Sequence, residues 1–227
     1  MKRIDDLQLK GLKIMQDTAQ FCFGTDAVLL SDFVADCRSI NRDTRIIDLG
    51  CGNGIIPILL AGKTDSRRIT GVEIQKQAAD LALENVILNG LTERICVVNA
   101  DFRMQSAVQN GVWDIVVCNP PYKENGGGIK NPESGLAIAR HEIMCNLDSI
   151  FETAKRLLKF RGKLCMIHRP ERLAEIFMKM HKHGLEPKRM RMVHFSVDKP
   201  PIMVLIEAVG SGGVKLFCEP PIVIKEV

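Results

Sequence analysis

Short apolar runs alternate with stretches of helical periodicity along most of this chain. Thr44–Asp48, Arg68–Glu73, Arg94–Val98, Trp113–Cys118 and Lys163–Ile167 are apolar runs bounded by turn residues, and they read as buried strands. Between and around them, Asp26–Val34, Ile55–Ala61, Lys76–Leu88, about Leu147–Lys159 and Glu171–His183 carry apolar residues at helical spacing. Thr25 or Asp26 is placed to cap the first of these helices. Ala78, Ala82 and Val86 share one face of the third, which Asn89-Gly90 stops, and Pro170 opens the last. The alternation predicts an α/β fold, a doubly wound and mostly parallel Rossmann-like sheet. The chain then changes character: Arg189–Phe195 and Ile202–Val209 follow each other with no helix between them. Joined by Ser196–Pro201, they predict an antiparallel hairpin closing one edge and bring the sheet to seven strands. Residues 1–227 read as one domain, with 1–43 as an N-terminal extension packing on it. Lys123–Pro132, with three consecutive glycines, is the one low-complexity stretch and a candidate lid.

Composition narrows the class. Of 227 residues, 46% are hydrophobic and 26% charged, the balance of a soluble globular protein. No apolar stretch approaches the roughly 18 residues needed to cross a bilayer, and Met1–Asp6 lacks the apolar core of a signal peptide. Eight cysteines are scattered without a C-x-x-C pair, so neither zinc nor redox motifs are indicated, and reduced thiols of a cytoplasmic protein are expected. Net charge is +4, unevenly spread: Phe151–Lys199 holds thirteen Lys/Arg against five Asp/Glu. A basic half beside a neutral one points to a polyanion, nucleic acid first, although a solvated helix face gives the same count.

Two turns carry candidate chemistry. Asp48-Leu-Gly-Cys-Gly-Asn-Gly54 lies at the first strand-to-helix turn, where doubly wound sheets bind ligands. A dinucleotide fingerprint would put its third glycine at position 55, which is Ile55. Glu73 ends the second strand, about 20 residues on, where a carboxylate can bridge ribose hydroxyls, with Ile74 beside it. Asp101-Phe102 follows the third strand, placed for a base amino group and ring, or for a simple cap. The second turn, Asn119-Pro120-Pro121-Tyr122, ends the fourth strand. The Asn119 side-chain oxygen and the Pro120 carbonyl can both accept from a planar NH2 group. A nitrogen that attacks a methyl group loses conjugation and gains positive charge, which fixed acceptors stabilise more in the transition state than before it. Tyr122, the single tyrosine, could stack on a base, although Asn-Pro by itself also starts turns.

With Asp48 closing the strand and glycines at 50, 52 and 54, the chain resembles class I S-adenosylmethionine-dependent methyltransferases. Phe23–Leu30, Asp48–Gly54, Asn119–Tyr122, Arg140-His141-Glu142 and His168-Arg169-Pro170 make it similar to the bacterial tRNA1(Val) adenine-37 N6-methyltransferase family. That resemblance implies S-adenosylmethionine held by Thr25, Asp48, Gly50, Cys51, Gly52, Asn53, Gly54, Glu73, Ile74, Asp101, Phe102 and Asn119, with Thr25 and Asp26 the polar positions that match the segment beside its methionine end. It implies direct transfer to adenine N6 in a tRNA anticodon loop, with Asn119–Tyr122 at the reacting base and no metal. Lys123, Arg140, Arg169, Lys182, Lys188, Arg189 and Arg191 are candidate contacts to the RNA backbone. The same chemistry on protein glutamine or another RNA amino group stays open, as does a non-catalytic nucleic-acid-binding module.

Overall fold

The computed structural model describes residues 2–17, 24–37, 40–122 and 146–224. Phe21, Phe23, Lys123, the glycine-rich segment and Arg140-His141-Glu142 lie outside them.

Strands covered on both faces must be apolar on both, and the central runs of this chain obey that rule. β3 (Arg45–Leu49), β4 (Arg68–Glu73), β5 (Ile95–Asn99), β6 (Trp113–Cys118) and β7 (Leu158–His168) form the parallel centre. Their alternation divides the core in two. Ile46, Ile115 and Cys165 face one layer with α1 (Thr25–Ala35) and α2 (Ile55–Lys63), while Ile47, Val116 and Leu164 face the other. That second layer holds α4 (Leu147–Leu157) and α5 (Leu173–Lys182), whereas α3 (Lys76–Leu88) adds Val86 to the first. Pro170–Arg172 is a 3-10 turn leading into α5 rather than the helix's own first turn.

The two final strands pair antiparallel as expected, but they do more than close an edge. β9 (Pro201–Gly210) inserts between β7 and β8 (Leu185–His194), so β8 runs parallel to the central strands. The order among the described residues is β8-β9-β7-β6-β3-β4-β5, with two short strands added parallel to β8, β10 (Phe217–Cys218) and β11 (Ile222–Val223). The seven expected strands are therefore present, and the edge carries two more. No helix of the described residues is long and apolar enough to cross a membrane.

The polar start is not featureless. β1 (Lys2–Asp6) and β2 (Lys13–Asp17) make a separate antiparallel hairpin; β1 is largely exposed and charged, while β2 buries Ile14 and Gln16. It is attached through Ile14, which is buried in the first core layer, and through the side-chain amides of Asn85 in α3 and of Asn89 at its C-cap. Asn89 accepts from the Lys13 N–H (2.8 Å) and donates to the Lys13 carbonyl (2.7 Å). Asn85, one helical turn earlier and fully buried, does the same for Met15 at 2.6 and 2.9 Å. Each amide copies a peptide group, so the pair pairs with β2 as a further strand would. Asn85 also donates to the Asn53 carbonyl (3.0 Å), joining the hairpin to the glycine-rich turn. Asn85→Ala leaves Met15 and Asn53 groups without partners, and urea denaturation should show about 3 kcal/mol of lost stability.

Candidate active site

The chain runs from β3 outward to β4 and β5 and then returns to β6 on β3's other side. The gap between β3 and β6 is thus the topological switch point, where such sheets bind ligands. Leu49 and Cys118 are register partners, so the glycine-rich turn and the Asn119 turn leave the sheet side by side.

Gly50, Gly52 and Gly54 all adopt positive φ (75°, 55° and 84°), which side chains resist. A Cβ on Gly54 would lie 3.2 Å from that of Ala82, so α3 also packs against this turn. The N–H groups of Gly50 and Cys51 donate to the Val72 carbonyl at 2.8 and 3.1 Å. Glu73, buried at the end of β4, accepts from Gly52 N–H (3.0 Å) and Gln75 N–H (2.8 Å) through its two oxygens. Each oxygen keeps a lone pair for a further donor. Asn99 Nδ2 holds the carbonyls of Glu73 and Ile74 at 2.8 and 3.1 Å.

Asp48 is the anomaly. It is 1% exposed, and neither carboxylate oxygen has a hydrogen-bond partner among the described residues. Burial, and then the negative charge of Glu73, push its pKa up to about 8. Burial raises the Cys51 thiol as well, with the two acids adding to it. The Asn53 Nδ2 is a third buried polar atom without a partner among the described residues. Orphaned acceptors beside a glycine turn suit a ligand that brings donors and positive charge, as the amino and sulfonium groups of S-adenosylmethionine do.

Asp101 is already engaged. Arg103 donates to it from its backbone (3.0 Å) and guanidinium (2.6–3.0 Å), which lowers its pKa. Turns rather than a helix follow it, and Phe102 is buried in the core with its carbonyl bonded to Arg156 (2.8 Å).

The second turn closes on an unexpected residue. Gly24, not Thr25 or Asp26, occupies the cap position of α1, and no side chain bonds there. Thr25 is exposed, whereas Asp26 reaches across to the Asn119 turn. Asp26 Oδ2 accepts from Asn119 Nδ2 (2.9 Å) and lies 3.1 Å from the Tyr122 hydroxyl, whose single proton can serve either this carboxylate or Asn119 Oδ1. The same hydroxyl contacts Asn119 Oδ1. Burial and then the Asp26 charge drive the Tyr122 pKa far up, so the phenol keeps its proton. Pro120 is buried and Pro121 exposed.

His168 meets the Tyr122 ring edge-on at 5.5 Å, and the Arg169 guanidinium lies over that ring at 5.6 Å. His168 Nδ1 accepts from the Arg169 N–H (2.8 Å), and burial followed by Arg172 lowers its pKa to about 4. It is therefore neutral, with its other nitrogen protonated.

The basic candidates divide. Arg169 is exposed, and Lys188 and Arg191 are partly so, bonded to the carbonyls of Gly213 and Pro220. Lys182 is 72% exposed near Asp148. Arg189 needs correction. Its guanidinium packs 3.8 Å over Phe33, donates to the Phe33 carbonyl and pairs with Glu207 and Glu219, both at 3.2 Å. Its charge serves the interior, beside a cluster that residue spacing did not reveal: Cys37 and Cys165 approach to 3.9 Å, and Cys37 to 3.1 Å from Glu207. Lys163 pairs with the same acid at 3.1 Å, so the cluster is balanced by cations. Cys37, Cys51, Cys118 and Cys165 are buried free thiols, while Cys96 and Cys218 are exposed.

The methyltransferase small domain family model matches residues 18–186. A tRNA1(Val) (adenine(37)-N6)-methyltransferase of Porphyromonas gingivalis is 27% identical over 89% of this chain and 80% of its own. One of Tolumonas auensis is 30% identical over 87% and 80%. Among solved structures, a predicted O-methyltransferase from Agrobacterium tumefaciens superposes with a TM-score of 0.68 at 22% identity, covering 87% of this chain and 86% of its own. The fold, the glycine turn at its switch point and the extent of these matches agree, and the chain belongs to the methyltransferase small domain family.

Proposed function

We propose that this protein transfers a methyl group from S-adenosylmethionine to N6 of an adenine in a tRNA anticodon loop. The observation that carries the reading is the register of Leu49 with Cys118, which sets a donor-seeking glycine turn beside an Asn-Pro-Pro-Tyr turn. The relatives named above supply the tRNA and the position. When bound, S-adenosylmethionine supplies an electrophilic methyl group on a sulfonium.

The residues of the two turns do the rest. Gly50, Cys51, Gly52, Asn53 and Gly54 cradle the cofactor, with Asp48 facing its positive end and Thr25 at the mouth. Glu73, braced by two N–H groups, accepts from the ribose hydroxyls, while Ile74, Asp101 and Phe102 border the adenine. Asn119 Oδ1 and the Pro120 carbonyl accept from the amino group of the target base, so they stabilise the charge it gains on attack. The base is splayed from its loop against Tyr122, and the Arg169 guanidinium over that ring extends the stacking platform. Arg169, Lys188 and Arg191 meet the RNA backbone, which positions the substrate rather than specifying it. The chain works as one domain in the cytoplasm, with residues 1–43 an extension anchored through Asn85 and Asn89.

Incubation with S-adenosylmethionine and unmodified tRNA should yield N6-methyladenosine by nucleoside mass spectrometry. Absence of product, with the cofactor bound in a titration, would move the substrate to proteins or ribosomal RNA.

A further inference from the structure

An asparagine amide has an acceptor end and a donor end of nearly the same shape. Methyl transfer to an NH2 group needs the acceptor end. If Asn119 turned its own NH2 toward the substrate, two donors would face each other and the transition state would lose its stabilisation. Within the Asn-Pro-Pro-Tyr turn, the Tyr122 hydroxyl touches the amide but can donate or accept, so it does not decide between these orientations.

Asp26 decides it. Its Oδ2 lies 2.9 Å from Asn119 Nδ2, and a carboxylate only accepts, so the amide's donor end is committed to α1 and Oδ1 faces away. Asp26 sits in the first turn of α1, where the aligned peptide dipoles favour a negative charge. The Tyr122 hydroxyl contacts Asn119 Oδ1, the atom a substrate amine would need. The same hydroxyl lies 3.1 Å from Asp26 Oδ2, so it keeps an acceptor when an amine displaces it. One carboxylate therefore orients the amide and receives the displaced phenol.

We propose that Asp26 is a positioning residue for Asn119, setting which end of the amide meets the substrate's amino group. This rests on the methyl-transfer reading above for its substrate, but not for its geometry. Asp26→Ala should lower kcat about 100-fold, with KM for tRNA and the Kd for S-adenosylmethionine within about threefold. Asp26→Asn, whose side-chain oxygen can still accept from Asn119, should recover about tenfold of that loss; a merely structural role would give neither the kcat-only effect nor the rescue. A second readout is independent of turnover. In protein labelled with 15N-asparagine, the side-chain amide pair that disappears in Asn119→Ala should shift in Asp26→Ala. An unmoved pair, or a kcat for Asp26→Ala within about threefold of wild type, overturns the proposal. A shifted pair in a protein that leaves tRNA unmethylated supports the positioning role while refuting the tRNA substrate.

Discussion

Asn119→Ala should reduce kcat by about 1,000-fold, the upper end of what removing one preorganised transition-state contact costs. The cofactor's affinity should stay within a few-fold, because the glycine turn and Glu73 are built without Asn119. The substitution removes more than one hydrogen bond. Asn119 Oδ1 is one of the two acceptors the turn offers an amine, and its loss leaves the Pro120 carbonyl alone. It also strips Asp26 of one donor and Tyr122 of one acceptor, so the whole turn loses its bracing. Single-turnover methyl transfer with the variant saturated in S-adenosylmethionine separates the chemical step from binding. Activity close to wild type would remove this turn from the chemistry.

Asp48→Asn should act in two opposite directions. Without cofactor, the folded protein holds the Asp48 proton up to about pH 8, whereas the carboxyl's ordinary value is 3.8. Between those values the folded state binds a proton that the unfolded chain releases. Stability from this group is thus complete below the lower value and is lost as pH rises through the upper one. Asparagine carries no such charge, so the variant should be the more stable protein at pH 8.5, with the difference vanishing toward pH 4. Urea denaturation at several pH values tests the slope. The cofactor moves the other way: a ligand with positive charge favours the carboxylate, and asparagine cannot answer it. Affinity for S-adenosylmethionine should fall about 10–100-fold by calorimetry, the range for one hydrogen bond to a charged group. A variant that binds normally would take Asp48 out of the cofactor site.

Legibility in the sequence followed burial and contiguity. β3, β4 and β6 are covered on both faces, and their apolar runs place them within a residue or so of where they stand. The β1–β2 hairpin escaped because β1 is largely exposed and charged, and β2 buries only Ile14 and Gln16 of a short run whose outer partners are side-chain amides on a distant helix. β7 begins earlier than its apolar run suggests. Leu157-Leu158 continues a helical spacing, yet Leu158 turns to extended backbone and pairs with Trp113. In the site, the glycines and Asn119–Tyr122 were legible as consecutive residues whose order is itself the motif. Asp26 was legible only as a helix cap or as a polar neighbour of the cofactor's methionine end; its bond to Asn119, 93 positions away, was not. Arg189 was misplaced because a count of charges cannot distinguish a guanidinium in water from one already shared among Glu207, Glu219 and a carbonyl.

The amides that cover β2 also impose an order on synthesis. The hairpin leaves the ribosome well ahead of Asn85, which lies 70 residues beyond Met15. At about 5–20 residues per second, that separation leaves β2's outer peptide groups uncovered for roughly 4–14 s. For that interval the nascent chain offers an unguarded strand edge to other chains, and helix α3 later withdraws the offer.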